Sequence, residues 1–301
     1  MKRSGVLFLA AVPVAAVATA YFLSPGGSRE APARPPAALV EAGREHAKSR
    51  AEQERAADDA VIAGLPPGLA DPAKKELAQR LVASAEHSTL DWRSAYDSIE
   101  DLGDGQGYTA GVIGFCTGTH DLLTLVERYT ENHPGNGLAR YLPALREVDG
   151  TDSHEGLDPG FPAAWRAEAE LPAFRAAQEA ERDRVYFDPA VRLAKLDGLG
   201  PLGQFVYYDA LVFHGPDTDP DGFYGLRERA MRQADTPAEG GSEKTFLDAF
   251  LDVRRAAMKA KRPGIDTSRV DTAQRRFLDA GNFTLDTPLV WEMYGETFRV
   301  P

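Results

Sequence analysis

Within "SAEHSTLDWRSAYDSIEDLGDGQGYTAG", residues 84–111, two carboxylates stand in contrasting settings. Glu86 follows Leu77, Leu81, Val82 and Ala85, an apolar face at helical spacing. It therefore falls on the last turn of a helix that starts at Asp71-Pro72, an N-cap residue followed by proline at the first helical position. The negative end of the helix dipole and partial burial both favour a carboxyl that keeps its proton there. Asp104 lies in Gly103-Asp-Gly-Gln-Gly107, between short segments at Asp97–Leu102 and Tyr108–Gly114 that read as a small β-hairpin. Glycine on both sides of Asp104 allows the positive φ of a tight, polar turn. A solvated helix end and an ordinary turn would account for both residues. Read chemically, one carboxyl that stays protonated and one that stays ionised are what hydrolysis of a glycosidic bond requires.

Other chemistries lack their residues. The histidines (His46, His87, His120, His133, His154 and His214) show no zinc-ligand spacing. GxSxG, the Walker loop and the dinucleotide fingerprint are absent from the sequence, and the glycines around Asp104 do not lead directly into a helix that could hold phosphate. No metal and no cofactor is expected. The single cysteine, Cys116, in "GVIGFCTG", has no intramolecular disulfide partner and reads as a small buried apolar residue. What remains is carboxylates, arginines and aromatics. The formal net charge is −12, from 34 Lys+Arg and 46 Asp+Glu. Residues 1–64 hold 8 of the basic and 7 of the acidic side chains, so residues 65–301 hold 26 and 39, a net of −13. Such a field repels nucleic acid and anionic lipid and attracts cations, polycations included.

These residues need a scaffold. Residues 1–23, with Lys2 and Arg3 before an apolar run from Gly5 to Leu23, read as a signal peptide with cleavage after Ala18-Thr19-Ala20. An uncleaved N-terminal membrane anchor is the alternative, and on either reading the domain leaves the cytoplasm. Residues 24–64 form a linker, flexible or partly helical, and residues 65–301 the catalytic domain. Beyond Gly114 the pattern is mostly helical: Thr119 to about Thr130, Leu138–Val148, Pro172–Val185, Pro189–Leu196, Pro201–Phe213, Phe223–Gln233, Glu243–Lys261 and Ser268–Ala280. Pro162, Pro172, Pro189 and Pro201 mark first turns. The fold class is mainly α (α+β), with one small sheet near the start of the domain.

The runs "DPAKKELAQRLVASAEHSTLDW", "YDSIEDLGDGQGYTAGVIGFCTGTHDLL", "ERDRVYFDPAV", "LGQFVYYDALVFHGP" and "DTSRVDTAQRRFLDAGN" resemble the family 46 chitosanases, secreted bacterial endo-hydrolases of β-1,4-linked glucosamine polymers. The resemblance covers essentially all of residues 66–301. It implies a two-lobed, lysozyme-like fold with substrate in the cleft between lobes, and an inverting mechanism. By motif position Glu86 matches the family's general acid, Asp104 its general base, and Thr109 the residue that helps hold the attacking water. Asp209, Arg254 and Arg269 match an ion network behind the acid. Asp121 matches a carboxylate that contacts an amino sugar, where an ammonium can form a charge-assisted hydrogen bond; compensation of a helix N-terminus would explain it equally well. Trp165 and Tyr186 are candidates for stacking on sugar faces, with the core as their plainer place.

Gln106 stands where the resemblance leads one to expect an arginine, and "KAKRPGID" is less acidic than the comparable family loop. The expected partner is chitosan, a polycation; no nucleic acid and no stable protein partner is implied. Two other readings stay open: a muramidase- or chitinase-like hydrolase of the same fold class, and a non-catalytic carbohydrate-binding protein at the cell surface.

Overall fold

The computed structural model describes the backbone of residues 37–301, with side chains from residue 48 onward. The expected signal peptide or anchor at 1–23 and the spacer up to Pro36 lie outside the described residues. Helix α1 (Ala37–Ala63) forms a unit of its own, and none of its described side chains is buried, in keeping with a sequence that lacks an apolar stripe. The second unit runs from Gly64 to Pro301. Among the described residues no helix is long and apolar enough to cross a membrane.

Helix α2 (Pro72–Glu86) starts as its sequence dictates: the Asp71 carboxylate accepts from Ala73 N and Lys74 N, and Pro72 occupies the first turn. Leu77, Ala78, Leu81, Val82 and Ala85 are buried along it. Strands β1 (Ile99–Asp101), β2 (Tyr108–Ala110) and β3 (Phe115–Cys116) form an antiparallel sheet with β2 in the middle. Thr109 pairs with Glu100 on one side and Cys116 on the other. The expected hairpin is present, and the structure adds the third strand.

Helices α3 (Asp121–Asn132), α4 (Leu142–Val148), α5 (Phe161–Ala169) and α6 (Pro172–Arg182) follow, and α3 packs on α4, α6 and β3 while α5 packs on β1. A π-helical turn at Asp183–Phe187 then joins α6 to α7 (Asp188–Leu196), so two expected helices form one irregular run. Pro189 has no N–H to give, and the wider turn before it takes up the interruption.

The rest packs around α8 (Pro201–His214), in which every residue from Leu202 to Leu211 is buried. It contacts α2, α7, α9 (Phe223–Met231) and α10 (Glu243–Lys261). A second π-helical turn, Arg269–Gln274, leads into α11 (Arg275–Asp279). The chain closes with the hairpin β4 (Leu289–Met293) and β5 (Glu296–Val300), which packs on that π turn. One contiguous apolar core runs through all of this, from Leu69 to Val300. The C-terminal hairpin departs from the mostly helical expectation. Its signal is the alternation of Leu289, Trp291 and Met293, all buried, before Tyr294-Gly295.

Candidate active site

Glu86 ends α2, where a side chain at the edge of the buried face emerges; a quarter of it stays exposed. One carboxylate oxygen, Oε1, accepts a hydrogen bond from Nη2 of Arg269. The same guanidinium donates through Nε to Oδ1 of Asp209 at 3.0 Å. The other oxygen of Asp209 accepts from Nη1 of Arg254 at 2.7 Å and from Nε2 of Gln274 at 2.6 Å. Asp209, Arg254 and Arg269 are all at least 97% buried, so the sequence-predicted network is assembled in the core of α8, α10 and the second π turn. Burial alone would raise the Asp209 carboxyl, but Arg269 and Arg254 outweigh it and hold it below its ordinary value. Two cations and two carboxylates make the set neutral when Glu86 is ionised.

Two members were not foreseen. Gln274 ties Asp209 to Arg254, since its Oε1 also accepts from Nη1 of Arg254 at 3.0 Å. His214, the last residue of α8, closes the far end. Its Nε2 takes a hydrogen from Nε of Arg254 at 3.4 Å, which leaves Nδ1–H to donate to the Asp221 carbonyl at 3.0 Å. Burial first, then the neighbouring Arg254, push this imidazole down to about 2, so it sits neutral in that tautomer. Gln274 lies in "DTAQRR" and His214 in "VFHGP", with nothing local to distinguish either from a core polar residue; only the fold brings them together.

Asp104 is placed by other means. It rides the six-residue connection between β1 and β2, in which Gly103, Gly105 and Gly107 all take positive φ. A side chain at Gly107 would also collide with Oγ1 of Thr117, 2.2 Å from an added Cβ. The loop is pinned where Gln106 O accepts from Gly118 N, and Oγ1 of Thr117 accepts from Tyr108 N. The Asp104 carboxylate takes one hydrogen bond from the backbone N–H of Gln106 and one from its side-chain amide, both at 3.2 Å. The position expected to carry a cation thus supplies a neutral donor. Arg262, just after α10 and mostly exposed, reaches to 4.0 Å from Asp104. Thr109 lies behind the loop on β2, its hydroxyl 3.3 Å from Sγ of Cys116. Burial raises the Cys116 thiol to about 11, so it is not a nucleophile. The two sides are also tied directly: Nε2 of His87, next to Glu86, donates to the carbonyl of Val112, between β2 and β3.

The expected sugar contacts need correction. Trp165 is fully buried, with its indole N–H on the Tyr96 carbonyl and its ring edge-on to Phe174, so it has no free face for a sugar. Tyr186 is 6% exposed and likewise cannot stack. Its hydroxyl donates to Asp121 Oδ2 at 2.6 Å, while Asp121 Oδ1 accepts from Cys116 N and from the Thr119 hydroxyl. Asp121 opens α3, and burial raises its carboxyl despite these donors, with Tyr186 the strongest of them. It therefore holds the junction of β3 and α3 together, as the helix-terminus reading allowed. Among the described residues no group of three or more His, Cys, Asp or Glu is placed to hold a metal ion.

The profile of Glycosyl hydrolase family 46 matches residues 80–289, and the chain belongs to that family of glycoside hydrolases. It is 55% identical over 265 residues to a chitosanase of Streptomyces sp. (strain N174), covering 88% of this chain and 92% of that one. It is 54% identical over 233 residues to a chitosanase of Nocardioides sp. (strain N106), covering 77% and 84%. The co-crystal structure of chitosanase OU01 with substrate superposes with a TM-score of 0.76 at 51% identity, over 78% of this chain and 99% of the other.

Proposed function

We propose that this chain hydrolyses chitosan internally, at β-1,4 linkages between glucosamine units, by a single inverting displacement. The observation that carries the reading is the contrast between two part-exposed carboxyls, Glu86 braced by a buried guanidinium and Asp104 held by one neutral side chain on a glycine turn. Glu86 protonates the departing oxygen, and the carboxylate it leaves lies against Arg269. Asp104 takes a proton from the water that attacks the anomeric carbon, and Thr109 helps to hold that water. Inversion needs room for a water between base and sugar. The net of −13 over residues 65–301 suits a polycationic substrate. Export by residues 1–23, cleaved or retained as an anchor, belongs to the same proposal. N-terminal sequencing of the protein from medium and from membranes separates the two.

The deciding experiment is proton NMR of a β-linked glucosamine oligomer during the first minutes of hydrolysis, before mutarotation. The initial product is expected to be the α-anomer. An initial β-anomer, or a glycosyl ester trapped on Asp104, would make Asp104 a nucleophile and overturn the mechanism. A reducing-sugar assay on fully deacetylated chitosan, chitin and peptidoglycan tests the substrate. Turnover of the last two in preference to the first would return the muramidase- or chitinase-like reading, and no turnover of any would return the binding protein.

A further inference from the structure

The tip of the C-terminal hairpin touches the catalytic helix at its most consequential end. Tyr294 and Gly295 form a two-residue connection between β4 and β5, both with positive φ (53° and 83°), the geometry of a type I′ turn. The first position of such a turn favours Asn, Asp or Gly, and a bulky aromatic there is conformationally strained. Tyr294 nonetheless occupies it. Its hydroxyl donates to the Ala85 carbonyl at 2.9 Å, one of the unpaired carbonyls in the last turn of α2 and the residue before Glu86. Its backbone N–H donates to Oγ of Ser268 at 3.0 Å, the residue before Arg269. A single strained residue thus grips the chain immediately ahead of both members of the Glu86–Arg269 pair. The ring is 46% exposed, so burial of the side chain does not explain why it is there. The hydroxyl end is the part turned inward, and its partial burial, with the charge of Glu86, raises the phenol in spite of Arg269.

We infer that Tyr294 is a positioning residue for the general acid: it caps the C-terminal end of α2 and fixes Glu86 against Arg269. Strain at the turn is kept because the hydroxyl must reach Ala85, and strain of this kind collects at functional sites. The inference rests on Glu86 being the acid.

Two variants test it. Tyr294→Phe keeps the ring and loses only the hydrogen bond; kcat is expected to fall about three- to tenfold, the value of one such bond, with KM within about twofold of the parent. Tyr294→Asn creates the Asn-Gly pair that the turn favours, so its melting temperature should equal or exceed the parent's while kcat falls at least as far as in Tyr294→Phe. A residue that served only the hairpin would give an Asn variant equally stable but fully active, so kcat separates the two. Parental kcat in Tyr294→Asn, or a melting temperature that falls along with kcat in both variants, overturns the inference. Glu86→Gln assayed alongside keeps the two readings apart. If it is inactive while the Tyr294 variants are unimpaired, only the positioning role fails. If it retains full activity, the assignment of the acid fails first.

Discussion

The two carboxyls are held by opposite physical means. Glu86 stands at the end of a chain of charges, Arg269, Asp209 and Arg254, sunk in the core and capped by a neutral histidine. Asp104 stands on a loop whose shape comes from glycines, its carboxylate held by the backbone N–H and the side-chain amide of Gln106, with Arg262 4.0 Å away. A buried ionic chain is unforgiving, because every charge in it is compensated by the next and a removed partner leaves another stranded in low dielectric. A glycine loop with a neutral donor tolerates change and admits water. In the roles proposed above, Glu86 as acid must aim one proton at one oxygen, whereas Asp104 as base must reach a solvent molecule that comes and goes. Damage should therefore propagate into stability from the acid side and stay local on the base side.

The largest effects fall on the carboxyls themselves. Glu86→Gln and Asp104→Asn should each lower kcat by at least ~10²-fold, since neither amide exchanges the proton that general acid–base catalysis needs. Thermal unfolding should separate them: Asp104→Asn leaves the melting temperature in place, while Glu86→Gln shifts it, because Arg269 loses a counter-ion. Equal melting temperatures would dissolve the contrast. Next comes Arg269→Ala, which strands Asp209 with one cation instead of two. A broken buried pair of this kind costs about 3–5 kcal/mol, and denaturant titration should show it together with a drop in kcat. A variant with parental midpoint and turnover would make Arg269 a bystander.

How far these regions could be read from sequence differs for the same reason. The Asp104 loop is legible because its determinants are local: glycines flanking the aspartate require positive φ. The end of α2 is legible from its cap, its proline and its apolar spacing. Asp209, Arg254 and Arg269 could be named only by resemblance, since residues 45 and 15 positions apart meet through tertiary packing of α8, α10 and a π turn. Gln274, His214 and Tyr294 escaped even that. For Trp165 and Tyr186 the plainer reading, the core, holds and the stacking one does not, because an aromatic's type does not reveal whether its faces are covered; Phe174 packs edge-on against Trp165, and Tyr186 is buried.

The histidine sharpens the comparison through pH. Its imidazole sits near 2 in the fold and ordinarily near 6.5, so between those values the unfolded chain binds a proton that the native one refuses. Stability should therefore fall as pH falls from about 6.5, by at most about 1.4 kcal/mol per pH unit from this group. Asp209, held below its ordinary value, adds to the same loss once pH drops under 3.8. In His214→Asn the slope of unfolding free energy between pH 6 and pH 4 should flatten. A slope equal to the parent's would mean that the acid-side loss arises elsewhere.

The smallest effect belongs to Gln106. Its side-chain amide meets Asp104 Oδ2 at 3.2 Å, while the Gln106 backbone N–H meets Oδ1 at the same distance. Gln106→Ala removes the first bond and keeps the second, because the Gln106 carbonyl is pinned by Gly118 N and by the Thr117 hydroxyl. One hydrogen bond to a charged acceptor on a solvated loop is worth about 1.5 kcal/mol or less here, so kcat/KM should fall no more than about tenfold, with an unchanged melting temperature. Gln106→Arg sets a cation beside Asp104, with Arg262 already 4.0 Å away. It should strengthen the hold on the base without adding stability, because an exposed ion pair contributes little. Both measurements are needed together. If Gln106→Ala lowered the unfolding midpoint as much as Arg269→Ala, the base loop would be coupled to the core, and the division between a braced acid and an independently held base would fail.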